Sequence, residues 1–239
     1  MNIICDIVFG LHLSRDDGEF ADVINFMELI FDGICNNDPA AFLPLRWMIV
    51  YLLHWPHIQD EVYNEIFHVV GLDRYPNLQD RKELPITMAT IQETLRLSSL
   101  SLLLPHKATK DSSISGRFVK KGTQVLINIW NLNHDASEFE NSKHFDPHRW
   151  LDKEGKYVQS RYRSCLPFGA GPRVCVGEAL ARTEIFLLFS RLIKHYKIEQ
   201  NPNEPLPSLQ GTGSVSLTPH PYTVIFTPRK RSTREARQN

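Results

Sequence analysis

The chain has 239 residues, 42% of them hydrophobic and 23% charged, with 27 basic residues against 27 acidic ones. That balance excludes a disordered chain and gives no electrostatic footprint for nucleic acid. Four cysteines, none in a C-x-x-C pair, exclude a zinc ribbon and are too sparse for a disulfide scaffold, so a reducing compartment is expected.

Residues 1–35 read as helix, with Val23, Phe26, Met27, Ile30 and Phe31 at helical spacing, and Asn36-Asn37-Asp38-Pro39 ends that run. Helix resumes over 42–70, with Pro56 near a helix start. The longest apolar run, Trp47 to Leu53, is far too short to span a membrane. No secretory leader is legible at Met1, because a basic flank is lacking and Asp6 interrupts the first apolar run. The stretch from Leu72 to Leu84 is polar and turn-rich, and a further helix runs from about Ile86 to Leu97.

The period then changes. A hairpin is expected between Ser113–Phe118 and Val119–Asn128, around Lys120-Lys121-Gly122-Thr123. Residues 131–166 form a long irregular stretch, of the kind that is functional or wrapped tightly on a core. The clearest helix covers 177–196, and a second hairpin is expected near Ser214 to Thr227. The tail 229–239 is polar and is expected to be disordered and solvated.

One segment carries chemistry. Phe168-Gly169-Ala170-Gly171-Pro172-Arg173-Val174-Cys175-Val176-Gly177 surrounds a single cysteine with three glycines and a proline. Glycines allow close backbone approach to a flat ligand. A helix starting after the cysteine favours negative charge there, so a readily ionised thiol is expected. Arg173 adds a cation for an anionic carboxylate. A soft anionic ligand, a tight backbone and a cation are what a cysteine-held haem requires. The blander alternative is a buried free cysteine before a helix.

The loop resembles the haem-ligand signature of the cytochrome P-450 family, position by position. Glu93-Thr94-Leu95-Arg96 is similar to the family's E-x-x-R helix. Phe145-Asp146-Pro147-His148-Arg149-Trp150 is similar to its F-x-P-x-R-F segment, with His148 where glutamate is usual and Trp150 where phenylalanine is usual. Pro105-His106-Lys107-Ala108-Thr109 and the cysteine loop resemble most the microsomal steroid 17α-hydroxylase/17,20-lyase branch, while Asn37-Asp38-Pro39-Ala40 and Leu97-Ser98-Ser99 resemble the aromatic-hydrocarbon hydroxylases.

The resemblance implies a mainly α fold with a small β portion, a truncated cytochrome P-450 domain over 1–228. It implies haem b, with Cys175 as the metal ligand, and Arg173, His106, Phe168 and Gly169 at the cofactor. Glu93, Arg96 and Arg149 would form a buried structural triad, pinning the 131–166 stretch beneath the cysteine loop. Leu102, Leu103 and Leu104 would line an apolar substrate cavity. The partners implied are NADPH-cytochrome P-450 reductase and cytochrome b5, with Arg161, Arg163 and Lys143 facing an acidic partner surface. The implied location is the endoplasmic reticulum membrane, or the cytoplasm for a chain without the family's anchor. The resemblance jumps near Trp47-Met48. The distal oxygen-activating helix with its Thr-Thr motif finds no match, and residues 1–86 hold no threonine. No catalytic residue is identified there. Two functions therefore stand side by side: a monooxygenase acting on an apolar substrate, or a non-catalytic haem-binding or haem-less remnant of low stability without haem.

Overall fold

The first described helix, α1 (Leu43–His54), is buried on nearly every side, only Arg46 and His54 being partly exposed. A helix apolar all round belongs in a core rather than at a surface. It ends where Pro56 disfavours the helical conformation of Trp55. These features come from a computed structural model, which describes residues 42–213 and 216–229. The helix expected over 1–35 and the polar tail beyond Arg229 lie outside the described residues. The junction expected near Trp47-Met48 falls inside α1, where both residues are 1% exposed.

Helix α2 (Pro56–Val70) is amphipathic. Ile58, Val62, Ile66 and Val70 are buried at four-residue spacing, and Gly71, with φ +72°, stops the helix. A 3-10 turn over Leu78–Glu83 follows, opened by a reciprocal cap between Asn77 and Asp80.

Helix α3 (Pro85–Ser98) has no capping side chain of its own. Its first free N–H groups, on Ile86 and Thr87, donate instead to the Glu65 carboxylate of α2 at 2.7 and 2.8 Å. An anion at a helix N-terminus satisfies orphan donors and opposes the dipole. Helix α5 (Glu178–His195) closes the helical layer, burying Ile185, Phe186, Phe189, Leu192 and Ile193. These four helices share one core in which Trp47 stacks on Tyr51 and Tyr51 on Phe145, with ring centroids 5.6 and 4.8 Å apart. Each such side chain contributes roughly 1.5–3 kcal/mol on burial. The short helix α4 (Ile129–Asn133) lies between α3 and α5 in sequence.

Four antiparallel strand pairs complete the described fold: β1 (Leu103–Lys107) with β4 (Gln124–Asn128), β2 (Ser112–Ile114) with β3 (Arg117–Val119), β5 (Tyr196–Gln200) with β8 (Val224–Pro228), and β6 (Gly211–Thr212) with β7 (Thr218–Pro219). The mainly α expectation with a small β portion therefore holds.

Both expected hairpins need correction. Val119 and Asn128 do not share a strand. Gly122, with φ +90°, folds the Lys120–Thr123 turn back, and Ala108 and Thr123 join by a 2.9 Å backbone bond. The chain after the turn thus pairs with β1, not with 113–118. Similarly, β8 pairs with β5, the strand directly after α5, and buried Gln59 of α2 anchors β5 by paired bonds of 2.9 and 2.7 Å to Ile198. The turn inside 211–219 is local and small. Arg229 also belongs to the fold rather than to a solvated tail: its guanidinium lies 3.8 Å from the Tyr63 ring centroid and its N–H donates to His195 O.

Candidate haem-thiolate site

The cysteine loop leaves the core at Cys165 and rejoins it at α5. Gly169 and Gly171 take φ values of +78° and +69°, which side chains other than glycine adopt poorly. The Cys175 N–H donates to Phe168 O at 2.9 Å, closing the loop on itself, and the Glu178 N–H donates to Cys175 O at 3.2 Å. Cys175 is a free, exposed thiol. A Cβ added to Gly177 would lie 3.9 Å from its Sγ. Helix α5 begins at Glu178, so Cys175 sits three residues before its first turn.

Arg173 is exposed and has no hydrogen bond or ion pair among the described residues. Strand alternation separates Leu103 from Leu104, and Leu102 precedes the strand. Leu104 faces the loop, its Cδ1 3.5 Å from where a Gly169 Cβ would stand. His106, two residues on, shares that face, and both are half-buried. Leu103 points to the opposite face and is 37% exposed. Leu102 borders a different cavity of about 590 Å³, beside Trp47, Tyr51 and Trp130. The three leucines therefore do not line one wall.

Beneath the loop lies a cavity of about 580 Å³ bordered by Gln92, Tyr157, Arg163, Phe168 and Arg182. The Arg182 guanidinium stacks 4.7 Å from the Phe168 ring centroid and donates to Glu178 at 2.7 Å and to Gln92 at 3.1 Å. The Gln92 amide also donates to Cys165 Sγ at 3.4 Å. Burial pushes the Cys165 thiol up to about 12, so it stays protonated. Sequence reasoning missed Gln92, Cys165 and Arg182 as supports. The Glu178–Arg182 pair, four apart on a helix, was the one legible signal.

The second centre is Glu93, whose side chain is 0% exposed. Its Oε1 accepts from Arg96 Nη2 at 2.7 Å, Arg149 Nε at 3.0 Å and Asp146 N at 3.1 Å. Its Oε2 accepts from Arg96 Nε and Trp150 Nε1, each at 2.8 Å. The remaining Arg96 donors reach the carbonyls of Asn133, Ser142 and His144, and those of Arg149 reach Glu140 and His144. One carboxylate thus anchors two guanidinium forks that gather the 133–149 segment. Such geometry offsets the desolvation of buried charge, which an isolated pair would not. The triad residues are brought together; Trp150 and the Asp146 N–H are further members that the sequence did not reveal. His148, at the surface, bridges to Glu61 at 2.8 Å.

Among the described residues no cluster of three or more His, Cys, Asp or Glu could hold a metal, and no helix is long and apolar enough to cross a membrane.

The cytochrome P450 family profile matches residues 41–226. A steroid 17-alpha-hydroxylase/17,20 lyase of Oryzias latipes is 45% identical over 186 residues, covering 77% of this chain and 36% of the relative. One from Cavia porcellus is 42% identical over 220 residues, covering 91% and 43%. A zebra fish cytochrome P450 structure with progesterone superposes with a TM-score of 0.72 at 43% identity, covering 79% of this chain and 42% of that one. A zebra fish cytochrome P450 structure with abiraterone gives 0.75 at 31% identity, covering 96% and 69%. The chain thus spans less than half the length of the curated relatives it matches. The signature around Cys175, the buried Glu93 network and a match over most of the sequence agree: the chain belongs to the cytochrome P450 family.

Proposed function

We propose that this chain forms the cysteine-bearing part of a haem-thiolate monooxygenase. The observation that carries this reading is the exposed Cys175 thiol, held on a closed glycine turn just ahead of α5. The residues present suit haem b. Cys175 would supply the soft anionic ligand to iron, Arg173 and His106 would neutralise the propionates, and Phe168, Gly169 and Leu104 would give a close apolar wall that excludes water. When bound, the haem supplies the redox chemistry of dioxygen.

The substrate would be apolar. The matches to steroid 17-alpha-hydroxylase/17,20 lyases favour a steroid that gains one oxygen atom from dioxygen. The electrons would come from NADPH-cytochrome P-450 reductase, with cytochrome b5 as a second partner, both docking at an endoplasmic reticulum membrane. Exposed Arg161, Arg163 and Lys143 suit an acidic partner surface. The Glu93, Arg96 and Arg149 network would be structural, fixing the 133–149 segment under the loop, and the domain would run to residue 228.

Haem titration followed by Soret absorbance tests the reading. One haem per chain is expected for the wild type, and a changed band position for Cys175→Ser. Identical spectra from the two would overturn Cys175 as ligand. Reductase-supported conversion of progesterone then separates a monooxygenase from a haem binder without turnover.

A further inference from the structure

The Glu93 carboxylate is served unequally. Oε1 has three donors, and two of them come from the 146–149 segment. Oε2 has two, Arg96 Nε from Glu93's own helix and the indole N–H of Trp150. The indole is therefore the one donor to Oε2 among the described residues that comes from outside α3. Phenylalanine, the residue usual at this place in the family's pattern, offers a similar ring but no donor. At 0% exposure, Oε2 would then keep one donor, Arg96 Nε, and the Arg96 fork alone would hold that oxygen in place.

The same ring also packs at the start of the cysteine loop. Trp150 is fully buried in a cluster with Ala89, Phe139 and Cys165. It meets Tyr162 edge to face at 5.1 Å. Tyr162 and Cys165 open the run that ends at Phe168, whose carbonyl takes the Cys175 N–H. One side chain thus touches the buried charge centre with its nitrogen and the base of the ligand loop with its ring.

We propose that Trp150 is a positioning residue of the cysteine site: its indole N–H, together with the Arg96 fork, locks the Glu93 carboxylate while its ring packs against Tyr162 and Cys165, so that one side chain registers the buried ion network against the start of the loop carrying Cys175. The inference rests on Cys175 being the iron ligand. Trp150 itself touches neither the haem nor the substrate.

Trp150→Phe in the haem-loaded full chain tests it, because the ring is kept and only the N–H is lost. The reduced, carbon-monoxide-bound spectrum separates thiolate-ligated haem from haem with a neutral ligand. The ratio of the thiolate-type band to the neutral-type band is expected to fall about tenfold, as for loss of one hydrogen bond to a buried charge, with far-ultraviolet circular dichroism unchanged. A variant that only melts at lower temperature, with the wild-type band ratio, would show a purely structural residue and overturn the proposal. Should the wild type itself give no thiolate-type band, the Cys175 reading fails. The lock is then decided on the haem-free chain by solvent exchange of the nitrogen-15 indole signal that Trp150→Phe removes. Slow exchange supports the lock, and exchange as fast as that of an exposed indole overturns it.

Discussion

Arg149 places Nε 3.0 Å from Oε1 of Glu93 across 56 residues of sequence, with side chains 5% and 0% exposed. Both forks in this centre use geometry that lysine lacks. Arg149→Lys should keep the charge but lose the simultaneous reach to Glu93, Glu140 O and His144 O. It is expected to cost roughly 2–4 kcal/mol, somewhat less than the roughly 3–5 kcal/mol for removing one partner of a buried ion pair, because the charge is kept. Denaturant unfolding checks this, and a midpoint equal to the wild type's would show that the network does not hold the 133–149 segment.

The two described cysteines should react oppositely. Cys175 is exposed, and Cys165 is buried with its thiol pushed up to about 12. The thiolate is the reactive form. Brief alkylation of the native haem-free chain at pH 8, read by peptide mass spectrometry, should mark Cys175 and spare Cys165, and haem should then protect Cys175.

Glu65 is expected to act as a cap supplied from a neighbouring helix. Its carboxylate takes two N–H groups and the Thr87 hydroxyl at the start of α3. Glu65→Ala should cost about 1–2 kcal/mol, as for loss of a helix cap, and should raise amide exchange first at residues 86–88. Unchanged exchange there would mean that solvent caps α3 equally well.

Acid stability should carry a signature of Asp80. Hydrogen bonds from Arg74 at 2.6 and 2.7 Å, foremost, hold its carboxyl below the usual carboxylate range, against the opposing effect of burial. A group depressed in the folded state adds stability that is fully present above its unfolded value, about 4, and is lost as the pH falls through the folded one. The stability gap between wild type and Asp80→Asn should therefore be constant near neutrality and narrow only below about pH 4. A gap independent of pH down to acid unfolding would contradict the pairing.

What the sequence made legible was local. Glu93 and Arg96 lie three apart on a helix, and the glycines, Arg173 and Cys175 fall within ten residues, so spacing brings each group together and the family resemblance gives it a role. Of the contacts made across long separations, the pairing of Arg149 with Glu93 followed only from the family resemblance, and the others were not legible. Trp150 reads as a core aromatic, and nothing in its neighbourhood announces a bond to Glu93 57 residues away. Strand β1 was missed because Pro105 argues against a strand. Strand β5 was missed because Tyr196 continues the apolar spacing of α5. Once those two partners were hidden, β4 and β8 had to be paired with the nearest neighbours in sequence, and both pairings were wrong. Leu103 and Leu104 are adjacent in β1 and therefore fall on opposite faces, while Leu102 precedes the strand, so a run of three leucines in sequence is no guide to a shared cavity.

The central claim is that Cys175 binds haem iron as a thiolate in a pocket this chain can assemble. The reduced, carbon-monoxide-bound difference spectrum of the purified, haem-supplied chain tests it most directly. A red-shifted, thiolate-type Soret band that Cys175→Ser abolishes is the predicted result. A band of the neutral-ligand type, or the same band in the serine variant, would contradict it.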